Sequence, residues 1–189
     1  MASYTLPAHF WDAAEQFATL LLQYNQTHNI SGAKTKEAVM KNIEDSIYPL
    51  QFLHVTTMKR GIDVGTGAGF PGLLLALALP HMHFTLFEPI AKKSAFLHLA
   101  KSALELYNVD VCTNRVEKAP SFEADLISSR AVTNTKVLIK LCHNFIAPHT
   151  TLLFYKGEYV EEEIKGLSNC HVYQRDKRYY LIMEQVNVA

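Results

Sequence analysis

The sequence predicts an α/β protein: a mostly parallel sheet of seven strands with helices on both faces, an antiparallel hairpin at its end and a helical extension at its start. Three observations carry this. Arg60-Gly61-Ile62-Asp63-Val64 runs into Gly65-Thr66-Gly67-Ala68-Gly69-Phe70-Pro71-Gly72 and then an apolar stretch to Leu79, which reads as strand, tight loop and helix. From residue 60 to residue 164, short β-rich runs alternate with helix-periodic ones, the order that lays parallel strands side by side through crossover helices. Finally, residues 171–175 and 178–183 are β-rich and separated only by Asp176-Lys177, which predicts a hairpin, although Asp-Lys is not a favoured tight-turn pair.

A chain of 189 residues suits one domain, with residues 1–50 as a helical extension within it. Residues 8–26 form an amphipathic helix, because Phe10, Ala14, Phe17, Leu21 and Tyr24 recur every three or four positions. Polar residues 24–32 break it. A second helix over 36–47 carries Val39, Ile43 and Ile47 on one face and stops before Pro49. Strands follow at 61–64, 83–87, 109–113, 124–128 and 151–155. Helices are predicted at 71–79, 91–107, 135–144 and 160–164, the second of these with Ala95, Phe96, Leu99, Ala103 and Leu106 inward.

Composition removes several classes. Lys plus Arg and Asp plus Glu each number 18, so a strongly basic nucleic-acid binder is excluded and any such contact must come from a local patch. The three cysteines, Cys112, Cys142 and Cys170, form no CxxC, which argues against a zinc or other metal site and against a disulfide framework. No apolar run is long enough to span a membrane and no signal peptide is apparent, so a cytoplasmic monomer without a membrane partner is expected.

The glycine loop suits two cofactor classes. Gly67-x-Gly69-x-x-Gly72 fits a dinucleotide site, and Asp63-x-Gly65-x-Gly67-x-Gly69 fits an S-adenosylmethionine site. Asp63 discriminates: a carboxylate there repels a pyrophosphate and attracts the ammonium of the methionine moiety. The terminal hairpin agrees, since a Rossmann-like sheet closed in this way is the class I methyltransferase layout. Glu88, at the end of the second strand and 19 positions after Gly69, is placed to accept hydrogen bonds from an adenosine ribose. Val116 and Glu117 would flank the adenine. Arg130 and Lys156, at the ends of the fourth and fifth strands, are positioning candidates beside the methyl-transfer point. The residues after the fourth strand read Ser128-Ser129-Arg130-Ala131 and lack the Asn/Asp-Pro-Pro-aromatic loop used on exocyclic amines. No cysteine has the Pro-Cys context of C5 methylation. An acceptor that already carries a lone pair, such as guanine N7, needs no general base.

The run 63–72, with Ser128-Ser129-Arg130-Ala131-Val132 and Tyr155-Lys156-Gly157, resembles the bacterial small-subunit rRNA guanine-N7 methyltransferases, the RsmG or GidB family. Tyr24-Asn25-x-Thr27, Asp45-Ser46-Ile47 and Lys92-Lys93-x-x-Phe96-Leu97 match it in place and order, so the resemblance covers residues 20–160. It implies S-adenosylmethionine as cofactor and one guanine of the 530 loop of 16S rRNA, in the 30S subunit or an assembly intermediate, as substrate. Cofactor contacts carry over to Gly65, Phe70, Val116, Glu117 and Arg130, with Glu88 as the ribose acid; Asp63, Gly67 and Gly69 complete the set. Tyr24, Asn25, Lys92, Lys93 and Lys136 are expected on the RNA-facing surface, with Lys34 and Lys36. The chain departs from the family at Asn42, where His is common, at Gln26, where Leu is common, and at Lys118, where an acid is common. Two alternatives stay open: a small-molecule methyltransferase, and a non-catalytic adenosine-binding rRNA assembly factor.

Overall fold

The computed structural model describes residues 4–186. Helix α1 (Phe10–His28) buries Phe10, Ala14, Phe17, Ala18 and Leu21, the stripe its periodicity predicts. Asn29 ends it in the left-handed conformation. Helix α2 (Lys36–Ile47) starts where Thr35 Oγ1 accepts the Ala38 N–H at 3.2 Å, and Tyr48-Pro49 turns it into a short 3₁₀ segment.

Seven strands form one sheet: β1 (Arg60–Val64), β2 (His83–Phe87), β3 (Val109–Cys112), β4 (Leu126–Arg130), β5 (Thr151–Lys156), β6 (Cys170–Arg175) and β7 (Arg178–Met183). The order is β3-β2-β1-β4-β5-β7-β6, parallel except for β7 and β6. Helices α3 (Gly72–Ala78), α4 (Ala91–Ala103), α5 (Thr135–Leu141) and α6 (Val160–Glu163) follow β1, β2, β4 and β5. The strand period of two divides the core. Leu86, Leu126, Leu153 and Tyr155 face a layer with α1 to α4, whereas Ile62, Val64, Ile127, Leu152 and Phe154 face one with α5 and α6. Residues from α1 and α2 thus share the same core as α3 and α4.

Three expectations change. On α4 the buried side chains are Ser94, Phe96, Leu97 and Ala100; Leu99 is 43% exposed, and Ala95 and Ala103 are exposed too. The helix ends at Ala103, and α1 sets its phase by packing Phe17 and Tyr24 against Phe96. The fourth strand begins two residues later than its apolar pattern suggests and runs through Ser128-Ser129-Arg130. These hydroxyls are satisfied across the sheet: Ser128 Oγ donates to Asp63 Oδ1 at 2.7 Å and Ser129 Oγ to the Val64 carbonyl at 2.9 Å. The hairpin forms with Arg175 opposite Arg178, and its unfavoured turn is accommodated by Asp176 at φ +52°.

Candidate active site

The glycine loop lies at the carboxyl ends of β1 and β2, where open α/β sheets take their ligands. Gly65 N–H and Thr66 N–H both donate to the Phe87 carbonyl, at 2.9 and 3.2 Å, fastening the loop to β2. Gly67 N–H donates to Glu88 Oε2 at 2.8 Å, while Glu88 Oε1 accepts the Ile90 N–H at 2.9 Å before α4. Gly67 takes φ +62°, and nothing but the Gly65 carbonyl comes within 4.0 Å of where a Cβ would sit. There the backbone is open to a ligand. A Cβ on Gly65 would meet Val132 Cγ2 at 2.5 Å, so the loops after β1 and β4 are in contact.

Asp63 is not at the open end of its strand. Strand β1 continues to Val64, and the pleat turns Asp63 inward, in register with Leu86 and Ser128. Its carboxylate has no exposed surface; Oδ2 accepts the Gly72 N–H at 2.9 Å and Oδ1 the Ser128 hydroxyl. The expectation that it directly faces the ligand's ammonium is therefore corrected. Asp63 braces the loop from below, and its charge reaches the site through the loop. Burial pushes its carboxyl up to about 6, against the pull of these hydrogen bonds.

Phe70 is also an inward residue, 4% exposed, with its ring centroid 5.4 Å from that of Phe17, edge to face, and the Arg130 guanidinium over its ring at 4.8 Å. Gly69 packs close to Leu73 and Phe17. Val116 opens a 3₁₀ turn after β3 and packs into the second core layer, while Glu117 stays exposed, 4.0 Å from Arg115. The site fits an adenosine-bearing ligand on two counts: Glu88 at the β2 end and the open backbone at Gly67.

Arg130 closes the other end. Its Nη1 donates to Asn42 Oδ1 at 3.3 Å and lies 3.6 Å from Asp45 Oδ2. Burial lowers its pKa and Asp45 opposes that; the guanidinium stays charged. Asp45 Oδ1 accepts the Tyr180 hydroxyl at 2.7 Å, Arg178 Nε lies 3.7 Å from Oδ2, and the Tyr155 hydroxyl donates to the Ser46 carbonyl. The sequence motif Asp45-Ser46 thus docks α2 onto β5 and β7. Asn42, a departure from the family pattern, is hydrogen-bonded to Arg130. Lys156 finds a local acid: Nζ lies 2.8 Å from Glu163 Oε2 and donates to the Thr133 carbonyl at 3.0 Å.

The expected RNA-facing residues are not one surface. Asn25 is buried; Oδ1 accepts the Ile30 and Ser31 N–H groups and Nδ2 donates to the Ser31 and Ala33 carbonyls. It turns inward because the left-handed exit of α1 leaves those four backbone groups without other partners. The Tyr24 hydroxyl donates to the Lys92 carbonyl at 3.0 Å, and Lys92 Nζ to the His28 carbonyl at 3.0 Å, tying α1 to α4. Lys34 donates to Asn29 Oδ1, Lys36 pairs with Glu15 at 3.1 Å and Lys136 Nζ donates to the Lys165 carbonyl at 2.8 Å. Lys93 is half-buried. Lys92, Lys93 and Lys136 share the carboxyl edge of the sheet, on opposite faces. Asn25→Ala is expected to cost about 2–4 kcal/mol, seen as a melting temperature lower by roughly 5–15 °C. An unchanged melting temperature with weakened rRNA binding would return Asn25 to the RNA surface.

Residues not singled out from the sequence complete the site. Arg178 lines both a cavity of about 420 Å³ at the ends of β4 and β5 and a groove of about 980 Å³ between α2 and the β6–β7 turn. Lys41, Arg175 and Lys177 line the groove as well. Buried tyrosines on two strands were the available signal, because a buried hydroxyl demands a polar partner. Among the described residues no group of His, Cys, Asp and Glu is placed to hold a metal, and no helix is long and apolar enough to cross a membrane.

This sheet order, with its glycine loop after β1 and acid after β2, is the class I methyltransferase fold. A putative O-methyltransferase from Klebsiella pneumoniae superposes with a TM-score of 0.67 at 12% identity, over 91% of this chain and 90% of that one. The family model GidB, rRNA small subunit methyltransferase G, matches residues 11–185, and the chain belongs to that family. Its relatives include ribosomal RNA small subunit methyltransferase G of Wolinella succinogenes, 45% identical over 91% of this chain and 88% of that protein. The Helicobacter pylori (strain HPAG1) protein of the same name is 38% identical, over 91% and 97%.

Proposed function

We propose that this protein transfers a methyl group from S-adenosylmethionine to N7 of one guanine in the 530 loop of 16S rRNA, acting as a cytoplasmic monomer on the 30S subunit or its assembly intermediate. The observation that carries the reading is the family match over residues 11–185 joined to a site that suits the cofactor. When bound, the cofactor supplies an electrophilic methyl on a sulfonium. Glu88 and the open backbone at Gly67 hold the adenosine end, and Asp63 braces the loop. Arg130, held by Asn42, Asp45 and Phe70, orders the end of the site where transfer takes place. The acceptor cavity has cations and one carboxylate, Glu163, held ionised through one oxygen with its pKa lowered, so it offers positioning and electrostatics rather than a general base. Guanine N7, unprotonated at neutral pH, asks for no more.

The test uses tritiated S-adenosylmethionine and 30S subunits from a strain lacking the activity. Label on N7 of a single 530-loop guanine, reduced at least a hundredfold by Arg130→Ala with cofactor binding measured alongside, is the expected result. Label elsewhere, or none despite cofactor binding, overturns it. Zero net charge further predicts slow methylation of naked rRNA, because shape rather than a broad basic surface must recognise the substrate.

A further inference from the structure

The cavity of about 420 Å³ at the ends of β4 and β5 is lined by a single carboxylate among the described residues, that of Glu163. All three hydrogen bonds to it fall on one oxygen: Oε2 accepts from Thr135 N at 2.9 Å, Thr135 Oγ1 at 2.7 Å and Lys156 Nζ at 2.8 Å. Oε1 takes none among the described residues. The side chain is 24% exposed, so it is fixed in place yet reachable. Burial pushes its pKa up, but the hydrogen bonds from Lys156 and Thr135 outweigh that and hold it below the usual carboxylate range. It is an ionised acceptor at neutral pH. Lys156 Nζ has given two of its three N–H groups to Glu163 and Thr133. The pair therefore presents a spare donor beside a spare acceptor. Asp45, the other carboxylate near the site, has its free oxygen fully buried between Arg130 and Arg178.

We propose that Glu163 and Lys156 read the target base: Glu163 Oε1 accepts from the N1–H and N2–H₂ edge of guanine, and Lys156 donates to O6. This rests on the function proposed above. Guanine alone among the natural bases puts O6 beside an N1–H and an exocyclic amine on one edge. Adenine would turn the lone pair of N1 towards the carboxylate. With the Watson–Crick edge held, N7, on the far side of O6, is left free to meet the methyl group. The exposed Val132 and the buried Leu138 supply apolar wall beside the same cavity.

The experiment places guanosine or inosine, which lacks the N2 amine, at the target position of 30S subunits reconstituted with ligated 16S rRNA. N7 methylation is followed with the wild type, Glu163→Gln and Thr135→Val, and cofactor binding is checked by calorimetry. The wild type is expected to favour guanosine over inosine in kcat/KM by roughly ten- to hundredfold. In Glu163→Gln that preference should fall severalfold towards unity, whereas in Thr135→Val, which loses a brace but keeps Oε1, it should persist. A residue that only braces α5 would slow both substrates equally. An unchanged preference in Glu163→Gln overturns the proposal, and so does a wild type indifferent to the N2 amine, whether or not the variant folds. A wild type that labels no guanine N7 at all refutes instead the function on which this rests.

Discussion

Asp63→Ala is expected to abolish methyl transfer and to lower stability by roughly 2–4 kcal/mol, because it orphans the buried Gly72 N–H and leaves the Ser128 hydroxyl only a long bond to the Ile62 carbonyl. The pH dependence tests the cause separately. The folded carboxyl titrates at about 6, above its ordinary value of 3.8. Between those values the folded state keeps a proton that the unfolded state has lost, so this group's contribution to stability falls as pH rises through the window. The span is worth about 3 kcal/mol. Glu37, Asp110 and Glu163 are shifted down and act oppositely, losing their contributions as pH falls. The readout is therefore the difference between the wild type and Asp63→Asn in urea unfolding from pH 4 to pH 8. Asparagine can still accept from Gly72 N–H, while Ser128, whose hydroxyl is also 3.4 Å from the Ile62 carbonyl, can turn to accept. The expected outcome is a difference that grows with pH in favour of Asp63→Asn, with cofactor affinity lost. A difference flat in pH would show that the buried carboxyl is not the titrating group.

Gly72→Ala is expected to cost 3 kcal/mol or more, a fall in melting temperature of roughly 6–12 °C. A Cβ there would lie 2.5 Å from Asp63 Cβ, 2.6 Å from Asp63 Oδ2 and 2.6 Å from Leu86 Cδ2. The end of Leu86 can move aside, but Asp63 Cβ is fixed to the central strand. Helix α3 would have to lift off β1 and break the hydrogen bond from Gly72 N–H to Asp63. Gly67→Ala makes the contrast. Its Cβ meets open space, so the fold loses only about 1–2 kcal/mol for the left-handed backbone, but the methyl group would intrude on the space open to a cofactor. Thermal unfolding and calorimetry should separate the two: one variant loses stability, the other binding. A Gly72→Ala protein melting within a degree of the wild type would refute the close-packing account.

Family, fold and the loop–acid pair were legible because they rest on local patterns. Strand period, glycine spacing and the interval from Gly69 to Glu88 are properties of a few consecutive residues, and the sheet obeys them in order. The extension of the fourth strand through Ser129-Arg130 was not legible, since the hydroxyls of Ser128 and Ser129 are satisfied only by β1 lying beside them. The direction of Asp63 depended on the strands that flank it and on where α3 begins.

The amino-acid order alone determined the glycine loop, the acid after the second strand and which family the chain resembles, because glycines, acids and turn residues act on their immediate neighbours. Which charges are free to meet a substrate was decided only by tertiary packing. Asn25 is spent on the exit of α1, Lys156 is paired with Glu163 and keeps a single N–H, and Arg130 is held by Asn42 and Asp45 from a helix 85 or more residues upstream. A buried charge or amide takes whatever partner the fold brings within 3–4 Å, and that partner's distance along the chain leaves no local trace.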